Sequence, residues 1–183
     1  MSKVRDLLRL VRRKRLKVVV TGPHRAGKTT FVRSLSPGTL EITRRRGTTT
    51  GFDYARVNLT FNNDRYICDI YSLPGQERFS EVRKALATGS SGAILVVDSA
   101  DPSSIGRAYM YLSELKAALP DVKVVVAANK QDLPDAMRPE EVRELVGFEE
   151  EVVGTSALHG ENTMDALILL VWKIVSSGKR RPP

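Results

Sequence analysis

Three short runs of almost unbroken apolar residues, rich in valine and isoleucine, limit how this chain can fold: residues 17–21 (KVVVT), 92–98 (GAILVVD) and 122–128 (VKVVVAA). Continuous rather than alternating hydrophobicity means burial on both faces, as in a parallel sheet covered by helices. Helical stretches fall between the runs. Residues 28–35 follow the first, and 102–119 carry Ile105, Ala108, Tyr109, Leu112, Leu115 and Leu119 near helical spacing. Residues 139–146 open with a proline suited to a first helical turn, and 162–177 (NTMDALILLVWKIVSS) read as a strongly apolar final helix. Residues 52–60 and 65–72 depart from this scheme. They are strand-like and flank Asn62-Asn63-Asp64, a turn signal, which predicts one antiparallel hairpin. The expected fold class is α/β, in three layers, with about six mostly parallel strands and an antiparallel hairpin at the edge.

The chain has 183 residues, 42% of them hydrophobic and 27% charged, which suits one globular domain with a sizeable core. One cysteine, Cys68, cannot close an internal disulfide, so a disulfide scaffold is excluded and a reducing, cytoplasmic setting is expected. No apolar run is long enough to span a bilayer, and the first 17 residues interleave leucine with arginine, unlike a signal peptide. The net charge of +8 is concentrated at the ends. Residues 1–17 hold eight Lys/Arg against Asp6, and Lys179, Arg180 and Arg181 close the chain, leaving residues 18–178 at −2. The reading divides the chain into a basic extension (1–15), a nearly neutral body (16–177) and a basic tail (178–183).

The body carries Gly22-Pro23-His24-Arg25-Ala26-Gly27-Lys28-Thr29, a G-x-x-x-x-G-K-T loop, with Thr30 following. Its glycines let successive N–H groups turn toward one anion-sized nest; the lysine reaches β- and γ-phosphates, and the Thr29 hydroxyl suits a magnesium ligand. The loop lies between an apolar strand and a helix start, where such a nest belongs. It implies a nucleoside triphosphate site of the P-loop kind. Asn129-Lys130-Gln131-Asp132 follows the third apolar run. The Asp132 carboxylate can accept two hydrogen bonds from a guanine edge, donors that adenine lacks. Lys130 would lay its stem on the base. Thr155-Ser156-Ala157-Leu158 would offer the Ala157 N–H to the guanine O6.

These motifs, in this order, resemble those of a small GTPase of the Ras superfamily, in its Arf/Sar branch. Thr49-Thr50-Gly51-Phe52-Asp53 is similar to the Arf T-I-G-F-N, and Pro74-Gly75-Gln76-Glu77 and Val96-Val97-Asp98-Ser99-Ala100-Asp101 add to the match, which covers residues 16–176. The chain is also similar to prokaryotic Arf-like GTPases, related to the gliding-motility polarity GTPase and to the β subunit of the signal-recognition-particle receptor. The resemblance implies a G-domain binding GTP or GDP with Mg2+. It implies Thr49 as the switch threonine that holds magnesium, with Thr48 and Thr50 as neighbouring alternatives. It implies that the Gly75 N–H reaches the γ-phosphate and that Gln76 orients the attacking water. Residues 41–50 and 74–87 would switch, with a shift of the hairpin between them, and exchange and activating proteins would act on them. Arg46, three residues before Thr49, matches the offset of a catalytic arginine supplied in cis; the plainer alternative for Arg44–Arg46 is a solvated basic loop facing an acidic partner.

The family's D-x-x-G stands here as Ser72-Leu73-Pro74-Gly75, so the usual carboxylate near magnesium is missing. Asp69 would point to the opposite face of its strand, and Asp98 is a weaker candidate for a contact behind the ion. His24 and His159 read as loop residues without special chemistry. The implied function is slow GTP hydrolysis by a monomeric switch; the alternative is a GTP-holding docking subunit. Val4, Leu7, Leu8 and Val11 recur at helical spacing among arginines, suggesting a basic amphipathic helix. With Ser2 in place of glycine and no C-terminal cysteine, lipid attachment signals are lacking. The basic ends would meet an anionic membrane surface, nucleic acid or a protein, or stand as solvated tails with no specific partner. Their lack of aromatic residues ranks nucleic acid lower.

Overall fold

The structure, a computed structural model, describes residues 13–35, 53–61, 64–147 and 149–177. In chain order these form β1 (Arg13–Thr21), α1 (Lys28–Ser34), β2 (Tyr54–Phe61), β3 (Asp64–Ser72), a 3₁₀ turn (Glu77–Phe79) and α2 (Ser80–Ala87). Then come β4 (Gly92–Asp98), α3 (Pro102–Ala118), β5 (Lys123–Asn129), α4 (Pro139–Val146), β6 (Glu151–Thr155) and α5 (Thr163–Ser177). The six strands make one sheet in the order β2-β3-β1-β4-β5-β6. Every neighbouring pair is parallel except β2 with β3, the expected edge hairpin.

The alternation of side chains along β1 explains the three layers. Val18 and Val20 bury on one face with Phe31 and Val32 of α1 and Leu167, Leu170 and Val171 of α5. Val19 points the other way, into a cluster with Ile105, Leu112 and Leu115 of α3 and Leu95, Val97 and Val126 of β4 and β5. Both clusters are needed because the central strands have no solvated side. All seven residues of β4 are buried. Cys68 is enclosed in the first cluster, and burial pushes its thiol up to about 11, leaving it unreactive.

Three expectations are corrected. The first strand begins at Arg13 rather than Lys17, so the boundary between extension and body falls inside β1. Its basic residues find partners on neighbouring elements: Lys14 Nζ lies 2.6 Å from Asp64, Arg15 Nη2 lies 2.8 Å from Asp69, and Lys17 Nζ donates to the Thr88 carbonyl. Much of the positive charge ahead of residue 18 therefore belongs to the sheet. The second correction concerns α3. Tyr109 is 59% exposed, whereas Tyr111 is buried and turns toward the loop after β3. Third, α2 and the 3₁₀ turn are elements that the apolar pattern did not announce.

The sheet also fixes where the described ends lie. Lys173, near the end of α5, donates to the carbonyl of Val124 and pairs with Glu151, both at the starts of their strands. Since β1 is parallel to these strands, residues 13 and 177 lie at the same end of the sheet. Among the described residues no helix is long and apolar enough to cross a membrane.

Leu170 is fully buried between α5 and the sheet. Leu170→Ala is expected to lower unfolding stability by about 2–5 kcal/mol, seen as a lower urea midpoint with an unchanged slope.

Candidate nucleotide site

The loops that carry the chemistry leave the C-terminal ends of β1, β3, β4, β5 and β6, the edge at which open α/β sheets bind ligands. Residues 22–27 turn sharply out of β1. Gly22 has φ of 135°, and a Cβ there would lie 2.1 Å from the Val96 carbonyl oxygen; Gly27 has φ of 99°, and its Cβ would lie 2.3 Å from Asn129 Nδ2. Neither position has space for a side chain, which is the local reason for both glycines of the motif. Arg25 is also left-handed, with φ of 65°. Pro23 and Ala26 are buried, His24 and Arg25 exposed, and Thr29 and Thr30 half-buried on α1.

Lys28 is only 8% exposed, and its Nζ donates to the Pro23 carbonyl at 2.6 Å. Burial lowers its ammonium to about 8 from an ordinary 10.5, and repulsion from Arg83 adds to the effect. A Cβ on Gly75 would lie 2.2 Å from this Nζ, so the loop after β3 passes directly over the lysine. That loop is held by groups the sequence reading did not assign. The Tyr111 hydroxyl donates to the Gly75 carbonyl at 2.7 Å, and Arg83 Nη1 donates to the Gln76 carbonyl at 2.6 Å. Arg83 is in turn fixed by Glu114, through three hydrogen bonds of 2.8–3.0 Å, and lies over the Tyr111 ring. The Gln76 side chain remains exposed. The pattern that would have revealed Arg83 and Glu114 is a buried arginine paired between two helices, which only tertiary packing brings together.

Asn129, 2% exposed, ties the far side of the site together. Its Nδ2 donates to the Ala26 carbonyl at 2.9 Å, while its Oδ1 accepts from Thr155 Oγ1 at 3.2 Å and from the Ala157 N–H at 2.9 Å. Ala157, whose N–H the sequence pattern offers to a guanine O6, donates it here to Asn129. Asp132 is exposed, with one oxygen accepting from Ser156 Oγ at 2.6 Å; that hydrogen bond holds its carboxyl below the usual range. Ser156 Oγ also lies 3.0 Å from His159 Nδ1. Because the hydroxyl has one proton and gives it to Asp132, it accepts from His159, which therefore belongs to the site's framework rather than to a passive loop. Leu158 is 73% exposed beside them. Lys130, left-handed at φ of 69°, pairs through Nζ with Asp98, whose other oxygen accepts the Ala100 N–H. Asp98 is thus the counter-ion of Lys130.

Near Thr29 a second carboxylate enters. Thr29 Oγ1 donates to Asp53 Oδ2 at 2.5 Å, placing a hydroxyl and a carboxylate, both hard oxygen donors of the kind magnesium takes, side by side. No role for Asp53 was read from the sequence. Asp69 is spoken for. Burial alone would raise its carboxyl, but hydrogen bonds from Tyr54, Arg56 and Arg15 hold it below the usual range. Thr49 and Arg46, with Thr48, Thr50, Arg44 and Arg45, lie outside the described residues. A family model described as Arf, the ADP-ribosylation factor family, matches residues 1–174 of the chain.

The lowered Lys28 gives a pH signature. Between about pH 8 and 10.5 the unfolded chain binds this proton and the folded chain does not, so on this group's account stability rises with pH across that window. A triphosphate beside Nζ restores the charge. Nucleotide binding near pH 9 is therefore expected to take up a proton, which calorimetry in buffers of different ionisation enthalpy would detect. Lys28→Met should abolish the uptake.

Proposed function

The chain belongs to the ADP-ribosylation factor family and is a GTP-binding switch protein of the small-GTPase class, and from that premise we propose that it hydrolyses GTP slowly, with magnesium, through Gln76. The observation that carries this reading is the passage of Gly75 over Lys28, close enough that no side chain would fit between them. A γ-phosphate gripped by Lys28 would then meet the Gly75 N–H, and Gln76, one residue further, would face the water that attacks it. Bound magnesium would neutralise charge shared by the β- and γ-phosphates, and Thr29 is the hydroxyl placed to hold it. Lys28 and the residue 22–27 loop bind the phosphates; Asn129, Lys130, Asp132 and Ser156 bind and select the base. The carbonyls of Gly75 and Gln76 are fixed by Tyr111 and Arg83 while the Gln76 side chain stays free, so orientation rather than proton abstraction is the contribution expected of it. We assign the switch threonine to Thr49, keep Arg46 as a candidate charge stabiliser, and take residues 41–50 and 74–87 as the segments that change with nucleotide.

A second reading is favoured by Ser72, which removes a carboxylate from the loop after β3: the chain would hold GTP as a docking subunit and turn it over little. Single-turnover hydrolysis separates the two. Gln76→Leu is expected to reduce the rate by about 10²-fold while leaving nucleotide affinity unchanged; wild-type protein that releases no phosphate above background would establish the docking reading instead.

The setting proposed is cytoplasmic, as a monomer touching an anionic membrane surface. What supports it is that residues 13 and 177, to which the two basic ends are joined, lie at one end of the sheet. Each lysine or arginine near such a surface contributes about 1 kcal/mol. Co-sedimentation with phosphatidylserine vesicles should be seen for the full chain at low salt. It should disappear in 1 M salt, where the Debye length is about 3 Å, and in a chain beginning at residue 13. Retention on RNA but not on vesicles would point to nucleic acid.

A further inference from the structure

We propose that Asp53 supplies the carboxylate of the magnesium site that Ser72 lacks. The inference rests on the guanine-nucleotide reading above and concerns which residue of this chain stands behind the ion.

Ser72 ends β3, and its N–H donates to the Asp53 carbonyl at 2.8 Å. Tyr54 is paired with Tyr71 in the antiparallel ladder, so Asp53 lies across from Ser72 one step further along. In such a ladder opposed residues have Cα atoms about 4.5–5.5 Å apart and side chains on the same face. A carboxylate moved from 72 to 53 therefore stays in the same neighbourhood. It is also aimed there. Asp53 Oδ2 accepts the Thr29 hydroxyl proton, while Oδ1 lies 3.5 Å from Arg33 Nη2, and the side chain is 14% exposed.

The Thr29 bond gives the carboxylate a chemical role. A hydroxyl that binds a cation offers its lone pairs to the metal and must send its proton elsewhere. Asp53 Oδ2 is that acceptor: it fixes the orientation of Thr29 Oγ1 and makes the oxygen a better donor, as carboxylates behind metal ligands do. A neutral serine at 72 can do neither of these with a charge. The other nearby carboxylates are committed, Asp69 to Tyr54, Arg56 and Arg15, and Asp98 to Lys130 and the Ala100 N–H. Among the described residues no cluster of three or more acidic, histidine or cysteine side chains gathers to hold a metal. Among the described residues, Asp53 is the carboxylate bonded to Thr29. The sequence shows the matching exchange: where the resembled motifs have Asn and Asp, this chain has Asp53 and Ser72. Asp53 directly precedes β2, so the carboxylate is carried by the edge hairpin.

The test uses the full chain loaded with a fluorescent GDP analogue, whose release is timed across a range of free magnesium chloride. Asp53→Asn keeps the size of the side chain and an acceptor for Thr29 but loses the charge. It should raise the magnesium concentration that half-protects the nucleotide by about 10–100-fold, with release in excess chelator unchanged. Adding Ser72→Asp to that variant should bring the midpoint back toward wild type, and Arg33→Ala should leave it in place. An unshifted midpoint in Asp53→Asn overturns the proposal, as does faster release that is equal with and without magnesium, the mark of a packing role. Should Asp53→Asn not fold, the Asp53→Asn/Ser72→Asp pair decides: a wild-type midpoint supports relocation of the charge, and a shifted one overturns it. Wild-type protein that retains no GDP analogue would instead bring down the nucleotide reading itself.

Discussion

One buried amide holds the site together. Asn129 sits at the end of β5 and bonds at once to the loop after β1, through the Ala26 carbonyl, and to the loop after β6, through Thr155 and the Ala157 N–H. Three segments far apart in sequence are thereby fixed to one another by a side chain that is 2% exposed. An apolar residue there would strand a carbonyl, a hydroxyl and an N–H, each at about 1–3 kcal/mol. Both the phosphate loop and the base-reading loop take their positions from this contact. Gly27 belongs to the same constraint, since any side chain on it would strike the Asn129 amide.

On the opposite side of the phosphate loop, the segment after β3 is held by its backbone rather than by its side chains. Arg83 and Tyr111 grasp consecutive carbonyls, those of Gln76 and Gly75, and Glu114 neutralises Arg83 inside the fold. A buried arginine without that carboxylate would be costly. The arrangement leaves the Gln76 side chain free while its peptide is anchored, and it adds positive charge near Lys28. That is one physical reason the Lys28 ammonium is lowered in the folded protein. A ligand with several negative charges relieves desolvation and repulsion together, so the pocket is electrostatically prepared for a polyphosphate.

The charge distribution has the same economy elsewhere. Positive residues at the start of β1 look like part of a basic tail when read in sequence, yet Lys14, Arg15 and Lys17 are matched by Asp64, Asp69 and the Thr88 carbonyl. Asp69, with Tyr54, Arg56 and Arg15 around it, braces the β2–β3 hairpin against β1. The effect of Asp69 on Tyr54 is visible in the phenol. Burial, helped by the adjacent carboxylate, pushes it up to about 12. These pairs tie the edge hairpin, from which Asp53 emerges, to β1.

Much of this protein was written in local patterns. Continuous apolar runs gave the central strands, because a strand covered on both faces leaves no position for a polar residue. The Gly22–Thr29 spacing and Asn129-Lys130-Gln131-Asp132 marked the phosphate and base loops, because each needs particular residue types at fixed backbone positions. Strand limits were legible where the apolar run itself ends, as at Gly92 and Asp98, and not at Arg13, where charged residues continue a strand by pairing with β3. Tertiary structure alone decided the rest. Tyr111 turns inward and Tyr109 outward because the Gly75 carbonyl lies beside one and not the other. Asp98 serves Lys130 and Asp53 faces Thr29, because these contacts join residues 32 and 24 positions apart. Sequence spacing determines what a backbone can do locally. Which charge meets which partner depends on where the sheet's register and the packed helices bring distant segments into contact.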